Sequence, residues 1–243
     1  MSGTTPARHV RNQTYNIPAH IAPVKVIAFN GPPKSGKDTA TNYAMDYLAT
    51  RFPDTFTVEP IVIHLKLSAL LKQRVHQFLN IDIEHDAYEV QKDIPLAEFL
   101  GATPRQAYIN FSEGFAKPTF GKHVWMQLAW KTLEARLLEL HQTDHDARKF
   151  VVISDLGFQE EIEFLLSKFS PYQVGLVRLQ RDGCDFSNDS RDYVFSNTGG
   201  EVWEKVLYNN TTLSDFNKRV CGFVSDFALE TVPMKLDEEG LGY

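Results

Sequence analysis

The sequence predicts an α/β fold in three layers, with helices packed on both faces of a central parallel sheet. Two observations predict it. Strand-sized apolar runs alternate with helix-sized amphipathic stretches, and the first such run passes directly into a glycine loop and then a helix. A sheet of this kind uses right-handed crossovers and binds ligands at the carboxyl ends of its strands.

Residues 1 to about 22 are polar, carry Arg8 and Arg11 and lack a sustained apolar period. A flexible arm is expected there, ahead of a single domain at 23–243. Val24 to Phe29 is a buried-strand pattern, and a helix is expected from Asp38 to about Arg51. A second strand, Val58 to Leu67, leads into a helix from Ser68 to Leu79. After an irregular acidic stretch from Asp82 to Asp93, Thr103-Pro104 starts another helix, because threonine caps and proline fits the first turn. Trp125, Ala129, Leu133, Leu137 and Leu140 recur at helical spacing and mark one apolar face between about Lys122 and His141. Phe150 to Ile153 is a continuous apolar run ending in Ser154-Asp155, and a helix follows through Lys168. Tyr172 to Leu179 and Val202 to Leu207 complete the strands, and a helix from about Leu213 to Leu229 closes the pattern.

Composition narrows the class. The 243 residues are 43% hydrophobic and 23% charged, which suits one domain with insertions. Lys plus Arg number 25 against 31 Asp plus Glu, a net charge of −6, so the chain lacks the positive field of a general nucleic-acid binder. Two cysteines, Cys184 and Cys221, with neither a C-x-x-C pair nor a signal peptide, fit a reduced, cytoplasmic setting. No apolar run approaches the roughly 20 residues of a membrane span, so no membrane partner is expected. Whether the chain forms a homodimer is left open.

The glycine loop carries the chemistry. Gly31 and Gly36 bracket four residues and Lys37 follows, a complete G-x-x-x-x-G-K pattern between strand and helix. Polyphosphate requires converging backbone N–H groups, which glycine conformations and an exposed helix N-terminus supply, and a lysine that reaches the outer phosphates. Pro32 and Pro33 have no N–H, so the cradle is assigned to Lys34, Ser35, Gly36, Lys37, Asp38 and Thr39. The expected ligand is ATP with Mg²⁺. Position 38 holds Asp where the general motif has a hydroxyl for the metal, so Asp38 or Thr39 is expected to serve Mg²⁺. The fold so marked is of the P-loop NTPase type.

Gly31 to Thr39, read as Gly-x-x-x-Ser-Gly-Lys-Asp-Thr, resembles the loop of bacteriophage deoxynucleoside monophosphate kinases and their relatives. Thr103 to Tyr108, Phe120-Gly121-Lys122, Val152 to Asp155 and Tyr208 to Leu213 follow in that family's order, so the resemblance spans about residues 24–225. It implies a helical substrate-binding insertion at about 68–121, a lid at about 180–195, and transfer of phosphate from ATP to a deoxynucleoside monophosphate.

Candidate groups for that chemistry follow from residue type and place. Asp155 ends an apolar strand, where a carboxylate orders Mg²⁺ waters, contacts substrate or caps a helix. In many members of the resembled family an arginine stands two residues further on, where this chain has Gly157. Arg105 lies in a helix's first turn, with a planar fork suited to a phosphate. Lys72 and Arg74 are further candidates to face the acceptor, or are solvated helix charges. Arg178, Arg181 and Arg191 surround a turn-rich polar segment and are the expected lid cations, at least one of them structural. The resemblance sets the turn at Asn209-Asn210 near the adenine, with Asn210 as the ATP contact. Rival readings are a P-loop kinase acting on dephospho-coenzyme A or phosphomevalonate, and a nucleotide-binding ATPase or regulator. A GTPase is disfavoured because no Asn-Lys-x-Asp motif follows.

Overall fold

Val24-Lys25-Val26-Ile27-Ala28-Phe29-Asn30 is apolar except at Lys25 and Asn30, which suits a strand covered on both faces. In the computed structural model, which describes residues 17–51, 58–187 and 189–229, this segment is strand β1 and all of it is buried. The other strands are β2 (Ile61–Leu65), β3 (Lys149–Leu156), β4 (Val174–Gln180) and β5 (Trp203–Tyr208). All pairings are parallel and the order is β2-β3-β1-β4-β5, so β1 sits at the centre.

Alternate residues feed two cores, one on each side. Val24, Val26 and Ala28, with Val151, Ile153, Val174 and Leu176, pack against α5 (Val124–Thr143) and α6 (Gln159–Lys168). Ile27 and Phe29, with Phe150, Val152, Val177 and Leu179, pack against α1 (Lys37–Asp46) and α7 (Leu213–Leu229). The expected apolar stripe of α5 is buried at Trp125, Ala129, Leu133, Leu137 and Leu140. Cations close the far end of the sheet: the Lys25 ammonium donates to the Phe227 carbonyl at 2.5 Å and Arg148 to the Ala228 carbonyl at 3.2 Å. Both carbonyls lie in the last turn of α7, where the helix dipole favours positive charge.

Between β2 and β3 the chain runs through several helices, where the insertion is expected. It contains α2 (Leu67–Leu79), α3 (Pro104–Ile109) and α4 (Lys117–Phe120), the last two joined by a π-helical stretch at Asn110–Ala116. Thr103 caps α3 as expected, its hydroxyl accepting from the Gln106 amide at 3.1 Å. Val75, Tyr88, Phe99 and Tyr108 form a separate small core here. His76 is buried beside it, with one ring nitrogen 2.9 Å from the Ile83 carbonyl and the other 2.8 Å from the Tyr108 hydroxyl. Burial holds this histidine below its ordinary value.

Three expectations need correction. Ile21 is packed rather than part of a free arm, because it is only 1% exposed and Gln173 donates to the Ile21 and Val24 carbonyls at 2.8 Å each; residues 1–16 of the expected arm lie outside the described residues. The second strand starts at Ile61 and stops at Leu65, since Leu67 already opens α2. The fourth strand begins at Val174 rather than Tyr172, because Ser170 caps a short 3-10 turn with Pro171 in its first position. Among the described residues no helix is long and apolar enough to cross a membrane.

Candidate active site

An all-parallel sheet sets the loops that follow its five strands at one edge, and those loops carry Gly31, Lys34 to Gly36, Arg181, Arg191 and Asn210. The first of them is the glycine loop. Helix α1 starts at Lys37 with Gly36 as N-cap, and among the described residues no side chain caps it. The first-turn amides of a helix have no intrahelical partner, so this end presents N–H groups and the positive pole of the helix to the loop. Gly36 is left-handed, φ 101°, and a Cβ there would stand 2.4 Å from the Asn209 amide nitrogen. That nitrogen donates to the Ser35 carbonyl at 3.0 Å and pins the loop. Ser35 is fully buried, and its hydroxyl has no hydrogen-bond partner among the described residues. An orphaned buried hydroxyl beside uncapped amides fits an anion that completes the set.

Lys37 folds back over the loop, donating to the Gly31 carbonyl at 2.6 Å and the Pro32 carbonyl at 2.7 Å. Burial, together with the Arg191 charge, lowers its ammonium to about 8, against the pull of Asp38, Asp189 and Asp155. Asp38 is well exposed and stands 3.7 Å from the Lys66 ammonium, and Thr39 follows it in the first turn of α1. A carboxylate and a hydroxyl beside an anion seat are suitable donors for Mg²⁺. Among the described residues no group of three or more His, Cys, Asp or Glu forms a ready-made metal cluster.

Asp155 takes the capping role, on a helix distant in the chain. Its Oδ1 accepts from the Leu67 amide and its Oδ2 from the Ser68 amide, both at 2.8 Å, so the carboxylate caps α2 and ties the insertion to the strand end. Its charge also reaches Lys37 and Arg191. Glu161 caps α6 in the same manner, accepting from the Gly157 amide at 2.7 Å and the Phe158 amide at 3.0 Å. Burial pushes the Glu161 carboxyl up to about 7 despite those bonds, with Asp155 pushing the same way. A carboxyl raised above its ordinary 4.5 is favoured protonated in the fold. Its contribution to stability is therefore whole below about 4.5 and is lost as pH rises to about 7. Glu161→Gln is expected to raise Tm relative to the parent at pH 8, by the equivalent of about 1–3 kcal/mol, and to give little gain at pH 4.5. Thermal unfolding at the two pH values checks this.

The three lid arginines part company. Arg191 is near enough to act on the Lys37 charge, and its guanidinium is held by Asp189 through Nε at 2.8 Å and Nη2 at 2.5 Å. Arg181 is exposed and donates to the Lys34 carbonyl at 3.2 Å, so it belongs to the loop. Arg178 is instead consumed by structure. Its guanidinium donates to Glu204 at 2.6 Å and to the Val194 carbonyl at 3.1 Å, and it covers the Phe195 ring. The expected lid, 180–195, is also anchored along its second half: Asn30 donates to the Asp192 carbonyl at 3.0 Å and accepts from the Val194 amide at 3.2 Å.

Asn209, not Asn210, is the residue on the glycine loop. Asn210 exchanges two hydrogen bonds of 2.9 Å with Asp182 and stiffens the turn after β4. Within the insertion, Arg105 pairs with Asp93 at 2.6 Å, Lys72 pairs with Glu89, and Arg74 donates to Gln77 at 2.7 Å. All three have partners inside the insertion itself. Sequence reasoning missed Asn30, Asn209 and Asp189, and each reveals itself only through a contact distant in the chain or a side chain turned onto its own loop. No protein-family model matches the chain, and no curated protein matches it.

Proposed function

We propose that the protein is a P-loop kinase that transfers the terminal phosphate of ATP to a deoxynucleoside monophosphate. The observation that carries this reading is the loop from Gly31 to Thr39, with its uncapped helix end, orphaned Ser35 hydroxyl and overlying Lys37 at the carboxyl edge of the sheet. The amides of Lys34 to Thr39 bind the polyphosphate, and Lys37 exchanges the Gly31 and Pro32 carbonyls for phosphate oxygens. Arg181 is close enough to the loop to follow it. Asp38 and Thr39 would hold Mg²⁺, which when bound neutralises charge on the outer phosphates.

Little covalent chemistry is asked of the protein. A monophosphate oxygen is already an anionic nucleophile, so the work is positioning and charge neutralisation. The Arg191 charge acts on Lys37, and Asp155 joins β3 to the start of the insertion. An acceptor phosphate that enters the insertion meets Arg105 and Lys72 already paired with Asp93 and Glu89, and must displace those carboxylates. A dianionic phosphate matches the guanidinium fork better than a free hydroxyl does, which favours a nucleotide over a nucleoside as acceptor.

The test is kcat/KM with ATP and ribo- and deoxyribo-monophosphates of every base, beside dephospho-coenzyme A and phosphomevalonate. The reading expects at least one deoxynucleoside monophosphate to be phosphorylated well above ATP hydrolysis. Phosphorylation of only the coenzyme A precursor or phosphomevalonate would keep the kinase and discard this acceptor. Acceptor-independent ADP release would leave an ATPase.

A further inference from the structure

Gly157 is occupied from outside. The Arg191 side chain lies across it so closely that a Cβ at position 157 would stand 2.3 Å from Cδ and 2.6 Å from Cγ of Arg191. The backbone that presents Arg191 is fixed from two sides: the Asp192 amide donates to the Gly157 carbonyl at 3.1 Å, and Asn30, fully buried, holds the Asp192 carbonyl. Arg191 is therefore delivered by the rigid sheet edge, and the missing side chain at 157 leaves the channel for its stem.

At the end of that stem the guanidinium meets a carboxylate in a two-point grip, Nε to Oδ1 and Nη2 to Oδ2 of Asp189, while the Arg191 amide donates to the same Oδ1 at 3.1 Å. Burial works to raise the Asp189 carboxyl, and the Arg191 bonds overcome it and hold it below the usual carboxylate range. Lys37 and Arg191 are near enough to repel each other, and both feel Asp189 as well as Asp155; of the two carboxylates, Asp189 is the one that hydrogen-bonds the Arg191 guanidinium. The fork geometry that accepts a carboxylate also accepts two oxygens of a phosphate.

We propose that Asp189 is an internal stand-in for a phosphate: it keeps the Arg191 fork aligned beside Lys37 while the site is free, and a phosphate dianion displaces it on binding. Gly157 belongs to the same device, because any side chain there evicts the Arg191 stem. The proposal rests on reading the loop as a phosphate site. It makes Asp189 a positioning residue and a competitor at once, so its removal has an unusual sign: phosphate affinity rises.

The test is calorimetric titration of the full chain with inorganic pyrophosphate and with ATP. Asp189→Asn, which keeps the shape and removes the charge, is expected to tighten pyrophosphate binding by about tenfold, the scale of one charge-assisted hydrogen bond. Gly157→Ala is expected to weaken it by at least about tenfold through the displaced fork, and to add nothing in an Arg191→Ala background. Arg191→Lys serves as the second variant if Gly157→Ala unfolds; it keeps charge, loses the fork, and is expected to weaken binding. Unchanged or weaker pyrophosphate binding by Asp189→Asn overturns the stand-in role. A Gly157→Ala loss that persists without Arg191 overturns the channel. If the parent binds ATP and pyrophosphate while the variants behave alike, only this proposal falls; if the parent binds neither, the phosphate reading falls with it.

Discussion

Lys37→Ala is expected to preserve the fold and to lower kcat/KM for phosphoryl transfer by at least about 10²-fold, the scale of removing one preorganised charge stabiliser. The fold survives because, among the described residues, the Lys37 ammonium bonds only to the Gly31 and Pro32 carbonyls of its own loop. Activity does not survive, because this is the cation the loop geometry sets over the seat. A second readout follows from its titration. Burial and the Arg191 charge lower the ammonium to about 8, so at pH 8.5 a large share of Lys37 is neutral. Polyphosphate oxygens favour the charged form and raise the value again. ATP binding at that pH should then take up protons, read as a buffer-dependent enthalpy in calorimetry, and Lys37→Ala should abolish the uptake. Near-normal turnover by the folded variant would contradict the assignment.

Glu204→Ala is expected to cost about 2–4 kcal/mol of stability, a Tm lower by roughly 5–15 °C for a chain of this size. The Arg178 side chain is only 13% exposed and loses its carboxylate partner in this variant. The Ser196 amide, 2.8 Å from Glu204, loses an acceptor too. Breaking one half of such a pair leaves a desolvated charge, whereas replacing both halves with apolar groups is milder. The double variant Arg178→Met with Glu204→Leu should therefore be more stable than Glu204→Ala alone. Thermal unfolding measures the stability side, and turnover of the folded variants at 25 °C should change little. A deep loss of kcat in Arg178→Met without a loss of Tm would return Arg178 to the phosphates.

The contrast between these arginines explains how much the sequence disclosed. The sheet was legible because a parallel strand covered on both faces is a mostly apolar run, continuous in Phe150 to Ile153 and broken only by Lys25 in Val24 to Phe29. The turn from strand into helix at Gly31 to Thr39 was legible because its residues are contiguous. Side-chain pairing was not legible. Arg178, Arg181 and Arg191 stand in one stretch of polar sequence, yet Glu204, the Lys34 carbonyl and Asp189 give them three different tasks. Alternation along β4 turns Arg178 to the same face as Val174 and Leu176, the side of α5 and α6 rather than of the loop. Asp155 reads as a strand-end carboxylate, but its partners on α2 are some ninety residues earlier in the chain. Asn209 and Asn210 differ by one position, and only the direction of the chain leaving β5 decides which reaches Ser35.

The central claim is that the loop from Gly31 to Thr39 seats a polyphosphate, and amide NMR tests it most directly. Titration of the labelled protein with ATP and Mg²⁺ should move the Gly36, Lys37, Asp38 and Thr39 amide protons most, downfield, as each gains a charged acceptor. The Lys34 and Ser35 amides should follow, and β2 should stay still. Saturating ATP that leaves these amides unmoved, or that shifts a different surface, would contradict the account.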